Sequence, residues 1–202
     1  CLRRLRSFDA ATRDGRGWSL PADIGEGLGE IAGRTVGLLG FGAVPRLLAP
    51  ILAAMGARVI YADPYAEPDS QFDSLALDAL LGRSDIVSLH VPLTGDTEHL
   101  IDGTALARMK PGAILINTAR GGLVDHVALA GALRDGRLAA AGLDVLATEP
   151  VDPGDPLLAL DSVIVTPHVA WLTRETLARS LDIAVENCQR LRDGRPLLHQ
   201  VA

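Results

Sequence analysis

The chain has 202 residues, 48% of them apolar, and 25 acidic against 19 basic side chains give it a net charge of -6. One substantial core fits this length and two full domains do not, while the acidic balance excludes broad attraction to nucleic acid or anionic lipid and leaves a small molecule or another protein as partner. Two cysteines, Cys1 and Cys188, build neither a disulfide framework nor a spaced zinc site, and no apolar run approaches the roughly twenty residues of a membrane span, so a metal-free, cytoplasmic protein is expected.

The opening CLRRLRSF reads as the tail of an amphipathic helix with Leu2 and Leu5 on one side, which implies a natural chain beginning earlier. A surface connection rich in glycine and charge is expected from about Asp9 to Glu30. From Thr35 onward, short apolar runs alternate with helical patterns. Strands are predicted at Thr35–Leu39, Arg58–Ala62, Ile86–His90, Ala113–Asn117, Ala140–Val145 and Val163–Thr166.

Between these runs, Val44, Leu47, Leu48, Ile51, Leu52 and Met55 recur at helical spacing before Gly56. Leu77, Leu80 and Leu81 mark a second helix, and Ala105–Met109 a third ended by Pro111. Val127, Leu129, Ala130 and Leu133 mark a fourth, and a last helix spans Thr173 to Arg192 with Leu177, Leu181 and Val185 on its apolar stripe. Repeated right-handed crossovers predict an α/β fold: a doubly wound parallel sheet of Rossmann type with helices on both faces, its ligands held beyond the carboxyl ends of the strands.

Directly after the first strand stands Gly40-Phe41-Gly42-Ala43-Val44-Pro45. Gly40 permits a tight turn, Gly42 lets a pyrophosphate approach the backbone, and the N–H groups at Ala43 and Val44 open the following helix toward it. A third glycine is expected where Pro45 stands. The ring is expected to stiffen Val44 away from helical geometry and weaken phosphate binding, although proline is tolerable in a first helical turn, where its missing N–H has no intrahelical partner. The second strand ends at Asp63, 21 residues beyond Gly42, where a carboxylate accepts from ribose hydroxyls and repels a 2′-phosphate, which favours NAD over NADP.

Four later segments carry a resemblance: Leu89-His90-Val91-Pro92-Leu93-Thr94 through Thr97; Ile116-Asn117-Thr118-Ala119-Arg120-Gly121-Gly122-Leu123-Val124-Asp125; Gly142-Leu143-Asp144-Val145 leading to Glu149-Pro150; and Thr166-Pro167-His168-Val169-Ala170. In this order after a dinucleotide turn, the chain resembles the D-2-hydroxyacid dehydrogenase family, with most of the amino-terminal substrate domain missing. The resemblance implies a connecting segment over 1–29, an NAD-binding domain over 30–172, and a helix and tail over 173–202 that return toward the substrate domain. It implies that Arg120 binds the carboxylate and carbonyl of a small 2-oxoacid, His168 exchanges the proton, and Glu149 hydrogen-bonds the imidazole. Histidine titrates close enough to neutral pH for that exchange, and the guanidinium fork matches a carboxylate.

The same resemblance places Asp144 at the nicotinamide amide and an apolar slot of Val91, Pro92 and Leu93 near the adenine, with Thr97, Thr118 and Ala119 beside the cofactor. Asn117, and Thr97 with it, read more as structural than as cofactor contacts, His126 as a surface change at a helix start, and Trp171 either as a wall of the substrate pocket or as an aromatic packed at a helix entrance. A homodimer paired through the apolar stretch Leu123–Leu133 is expected. The competing reading is a catalytically silent NAD(H)-binding interaction module of corepressor type, motivated by Pro45 and by the missing domain.

Overall fold

A computed structural model describes residues 1–18 and 28–200. They form two compact units, Cys1–Pro167 and His168–Ala202. The first unit is a sheet of seven parallel strands: β1 (Thr35–Leu39), β2 (Arg58–Ala62), β3 (Asp73–Ser74), β4 (Ile86–Leu89), β5 (Ala113–Asn117), β6 (Leu138–Leu143) and β7 (Val163–Val165). Their spatial order is β3-β2-β1-β4-β5-β6-β7, so the chain reverses direction across the sheet between β1 and β4. Register follows, with Val36 beside Val59 on one flank and beside Ile86 on the other.

Helices cover the sheet according to strand alternation. α2 (Ala43–Ala54) packs Ala49, Leu48 and Leu52 against Val36, Leu38, Val59 and Tyr61. The opposite face buries Leu39, Ile60, Val87, Leu89 and Leu115 under α3 (Leu77–Arg83), α4 (Gly103–Arg108) and α5 (His126–Arg134). Gly37 is demanded here, because a Cβ on it would stand 2.2 Å from Ser84 Oγ and 2.8 Å from Leu80. Asp102 and Asp125 cap α4 and α5 by accepting from backbone N–H groups in their first turns. In the second unit, α6 (Arg174–Arg192) starts at the Thr173 cap, and Asn187 exchanges two hydrogen bonds with the Leu198 backbone.

Several expectations change. The opening segment begins a helix: α1 spans Leu5–Arg13, with Arg4 in left-handed geometry before it, so Leu2 lies outside it and Asp9 within it. The remainder of the expected surface connection lies partly outside the described residues. β3 carries no apolar residue, and pairing with Ile60 and Tyr61 alone makes it a strand. β6 starts at Leu138 and ends at Leu143, which puts Asp144 just beyond the sheet. α2 begins at Ala43 and runs through Pro45, so Val44 stays helical: the first-turn N–H that proline lacks had no intrahelical acceptor to lose.

The stretch expected to pair two subunits belongs to the core. Leu123, Leu129, Ala130 and Leu133 are buried under β5 and β6, and only Val127 of its large side chains stands out. No helix among the described residues is long and apolar enough to cross a membrane. Two cavities, of about 690 and 580 Å³, involve Cys1 and Leu2 and lie along the α2 face and the amino ends of the strands, away from the loops that follow β1, β4, β5 and β6.

Candidate functional site

The turn after β1 is fixed from both sides. Gly40 donates its N–H to the Ala62 carbonyl at 2.9 Å, and His90 donates to the Leu39 carbonyl at 2.7 Å. Gly40 has φ +92°, and a Cβ there would lie 2.7 Å from the His90 carbonyl oxygen and 3.0 Å from Val91, so conformation and packing both require glycine. Gly42 is different. It is the extended N-cap of α2, and a Cβ on it would meet nothing within 4 Å. Gly42 thus leaves room at the start of α2, and a helix start of this kind, with first-turn N–H groups lacking intrahelical partners, is where a pyrophosphate is held in dinucleotide folds.

Asp63 closes this turn on the β2 side. Its Oδ2 accepts from the Phe41 N–H at 2.8 Å, while Oδ1 accepts from Tyr65 and Ala66 at 2.9 and 3.2 Å. Three donors fill most of the carboxylate's acceptor capacity, and the remaining lone pair on Oδ2 suits one ribose hydroxyl. These features fit a dinucleotide: glycine turn, open cradle, and an acid at the lip.

At the carboxyl end of β4, the Ser88 hydroxyl and His90 Nε2 pair at 2.9 Å, and burial lowers the His90 imidazole below its ordinary pKa. Thr97 Oγ1 accepts from the Thr94 N–H and donates to the Pro92 carbonyl, so its visible work is to close the 92–97 loop. Val91 is half-buried and Pro92 exposed. Leu93, 43% exposed, also reaches the loop that carries Arg120, since a Cβ on Gly122 would lie 2.9 Å from it.

That loop follows β5. Asn117 is fully buried; its Nδ2 donates to the Arg120 carbonyl at 2.8 Å and its Oδ1 accepts from the Ala119 N–H at 3.0 Å. A side-chain clamp of this kind sets the loop's shape without secondary structure. Thr118 is exposed, and the exposed Arg120 guanidinium turns back to the Ala119 carbonyl at 2.6 Å. Gly121 then presses on the next loop, since a Cβ there would sit 2.0 Å from the Leu146 carbonyl atoms. Within that loop Glu149 Oε1 accepts from the Leu146 N–H at 3.0 Å. The Arg120 and Glu149 loops are therefore packed together through Gly121 and Leu146.

Asp144, only 4% exposed, accepts from the Thr166 hydroxyl, and its own N–H donates to the Asn117 carbonyl. Three strand ends, β5, β6 and β7, are thereby tied at one place. His168 opens the second unit in left-handed geometry, φ +54°, and its carbonyl accepts from the Trp171 indole at 3.0 Å. Trp171 is 53% exposed. His126 is not a surface change: it is half-buried with Nε2 enclosed and without a hydrogen-bond partner, and burial lowers its pKa against the raising effect of Asp155 and Asp125.

Sequence reasoning missed three features here: the Asn117 clamp, the Gly121 contact and Arg46, whose guanidinium lies over the Phe41 ring. The glycine pair in Arg120-Gly121-Gly122 was a signal for the second. Arg46 belongs to no motif and left none.

The pattern of the D-isomer specific 2-hydroxyacid dehydrogenase NAD-binding domain matches residues 1–170. D-3-phosphoglycerate dehydrogenase of Mycobacterium leprae is 49% identical over 155 residues, 75% of this chain and 29% of that protein. Glycerate dehydrogenase of Methylorubrum extorquens is 44% identical over 169 residues, 83% of this chain and 52% of that one. D-lactate dehydrogenase from Lactobacillus jensenii, solved with NAD+, superposes with a TM-score of 0.88 at 36% identity, covering 100% of this chain and 64% of that one. The chain thus spans from under a third to about half the length of these curated relatives.

Proposed function

The chain belongs to the NAD-binding domain family of the D-isomer specific 2-hydroxyacid dehydrogenases, and from that premise we propose that it is the cofactor-binding part of an NAD-dependent oxidoreductase acting at C2 of a small D-2-hydroxyacid or 2-oxoacid. The carrying observation is the Asp63 carboxylate bonded to the Phe41 N–H, beside the open cradle at Gly42. An acid at this lip accepts from a ribose hydroxyl and repels a 2′-phosphate, which selects NAD. Gly40, Gly42, Ala43, Val44 and Asp63 hold the pyrophosphate and ribose, and Val91 and Pro92 line the adenine side.

Bound nicotinamide supplies or accepts the hydride. Arg120 swings from the Ala119 carbonyl to grip the substrate carboxylate with its two-pronged donor set. His168 passes a proton between its imidazole and the C2 oxygen, and Glu149 favours the charged imidazole that reduction consumes. Asp144 orients the carboxamide of the nicotinamide. Residues 1–29 connect this domain to a substrate domain, 30–172 hold the cofactor, and 173–202 return toward the substrate domain; closure of the two domains excludes water.

The protein works in the cytoplasm as a homodimer. Its pairing surface is α2, where Val44, Leu47, Ile51 and Met55 form an exposed apolar stripe on consecutive turns that a second copy covers by two-fold symmetry. Light scattering should give twice the chain mass, and Leu47→Glu should halve it; a monomeric wild type refutes this part.

Titration of NADH against the chain, with NADPH as control, tests the cofactor reading: NADH binds more tightly. A longer form carrying a substrate domain should oxidise NADH with glyoxylate or hydroxypyruvate, and Arg120→Ala should lower kcat/KM by about a thousandfold, the scale of a lost charge-assisted anchor plus lost alignment. NADH binding with no turnover across a 2-oxoacid panel would favour the silent interaction module instead.

A further inference from the structure

We propose that Arg46 is a positioning residue for the adenosine end of the cofactor, locking the loop between β2 and β3 onto the glycine turn so that Asp63 is held ready for the ribose. The proposal rests on the dinucleotide reading given above. It starts from Phe41, which is 1% exposed and stands between the two glycines of the turn. Its N–H bonds Asp63 Oδ2, and its ring stacks on Tyr61 at 3.9 Å and 16°, with Phe72 edge-on at 6.2 Å.

Arg46 covers that ring from the first turns of α2, its guanidinium carbon 4.8 Å from the ring centroid. From there it donates to the Glu67 carbonyl at 2.8 Å and to Asp69 Oδ2 at 3.3 Å. Asp69 in turn donates its N–H to the Tyr61 hydroxyl at 3.1 Å. One planar cation therefore binds a carbonyl, a carboxylate and an aromatic face, a combination that the point charge of lysine cannot reproduce.

The loop it holds is anchored to the core at its two ends by Ala66 and Phe72, and between them Glu67, Pro68, Asp69, Ser70 and Gln71 offer no large apolar side chain, so the Arg46 contacts are what tie that stretch down. Asp63 stands at its entrance and spends two bonds of Oδ1 on the loop's own Tyr65 and Ala66 N–H groups. Movement of the loop consequently moves the carboxylate. Fixing it beforehand removes an ordering cost that cofactor binding would otherwise carry. The Arg46 charge is committed to Asp69 and Glu67, so its effect on the cofactor passes through Asp63.

The test compares wild type, Arg46→Met, which keeps an unbranched apolar stem over Phe41, and Arg46→Lys, which keeps the charge without the fork. In the unliganded chain, amide exchange at Phe41, Tyr65, Ala66 and Asp69 should accelerate at least tenfold in Arg46→Met, with β4 and β5 amides unchanged and partial recovery in Arg46→Lys. Calorimetry should show AMP and NADH weakened alike, by about tenfold, while nicotinamide mononucleotide binding is unmoved. Unchanged exchange at those four amides, or faster exchange with wild-type AMP affinity, overturns the proposal. A wild-type chain that binds neither AMP nor NADH overturns the cofactor reading and the positioning role with it, while the exchange rates still report whether the lock exists.

Discussion

Two glycines of this site should respond in opposite ways to the same added methyl group. At Gly121 a Cβ would lie 2.0 Å from both the carbonyl carbon and oxygen of Leu146 and 2.5 Å from the Ala147 nitrogen. All three are backbone atoms, so no flexible side chain can yield, and either the Arg120 loop or the 144–149 loop must shift. Overpacking costs roughly 1–3 kcal/mol, and contact with rigid backbone puts Gly121→Ala at the top of that range, about 3 kcal/mol. For a chain of this length that corresponds to a fall in Tm of roughly 6–12 °C. At Gly42 the same atom meets nothing within 4 Å, and φ -82° is acceptable to alanine. Gly42→Ala should therefore melt within about 2 °C of wild type while binding NADH at least tenfold more weakly, because the methyl fills the cradle. Calorimetric melting and NADH titration on both variants decide the matter. Wild-type stability in Gly121→Ala, or wild-type NADH affinity in Gly42→Ala, would refute the packing argument or the cradle argument respectively.

Replacing Pro45 by glycine restores a backbone donor at the helix start but removes a buried ring, so NADH should bind up to about tenfold more tightly while stability drops by roughly 1 kcal/mol; looser binding by calorimetry would count against the assigned turn. Burial lowers the His90 pKa in the folded chain, so the unfolded chain protonates first, near pH 6.5. Stability is thus complete above that value and declines as pH falls toward the depressed folded pKa, and the urea midpoint should be lower at pH 5.5 than at 7.5, a difference that shrinks in His90→Gln. Asp85 behaves alike at lower pH: burial alone would raise it, but hydrogen bonds from Lys110 and the Thr35 N–H and the charges of Lys110 and Arg34 bring it below its ordinary value. Asp85→Asn should flatten the loss of stability on acidification below about pH 4, as followed by circular dichroism.

The fold was legible wherever strands are buried on both faces, because runs such as Val36, Leu38 and Leu39 or Ile114, Leu115 and Ile116 leave no alternative at that length. Proximity to a motif also made Gly40, Gly42 and Asp63 readable, and the structure ties Asp63 to the turn through the N–H of Phe41, the residue between the two glycines. β3 was invisible because Asp73 and Ser74 are strand only by virtue of their neighbours. The Leu123–Leu133 stretch misled because apolarity in sequence says nothing about whether the core or a second subunit provides the cover; burial decided for the core. Arg46 escaped for a related reason, since its three partners come from the glycine turn and from a loop about twenty residues downstream.

The placement of β1 has a consequence for how the polypeptide acquires its shape. It is flanked by β2 and β4, and every pairing in the sheet is parallel, so no hairpin can start assembly. During synthesis, Val36 and Leu38 have one neighbour once Ala62 has emerged and gain the second only after Leu89, with the α3 side chains that shield the other face arriving in between. Until then the middle of the future sheet is an open edge able to pair with another nascent molecule. Topologies dominated by such distant contacts fold slowly and leave sticky intermediates, so the yield of native protein from refolding should fall steeply with chain concentration.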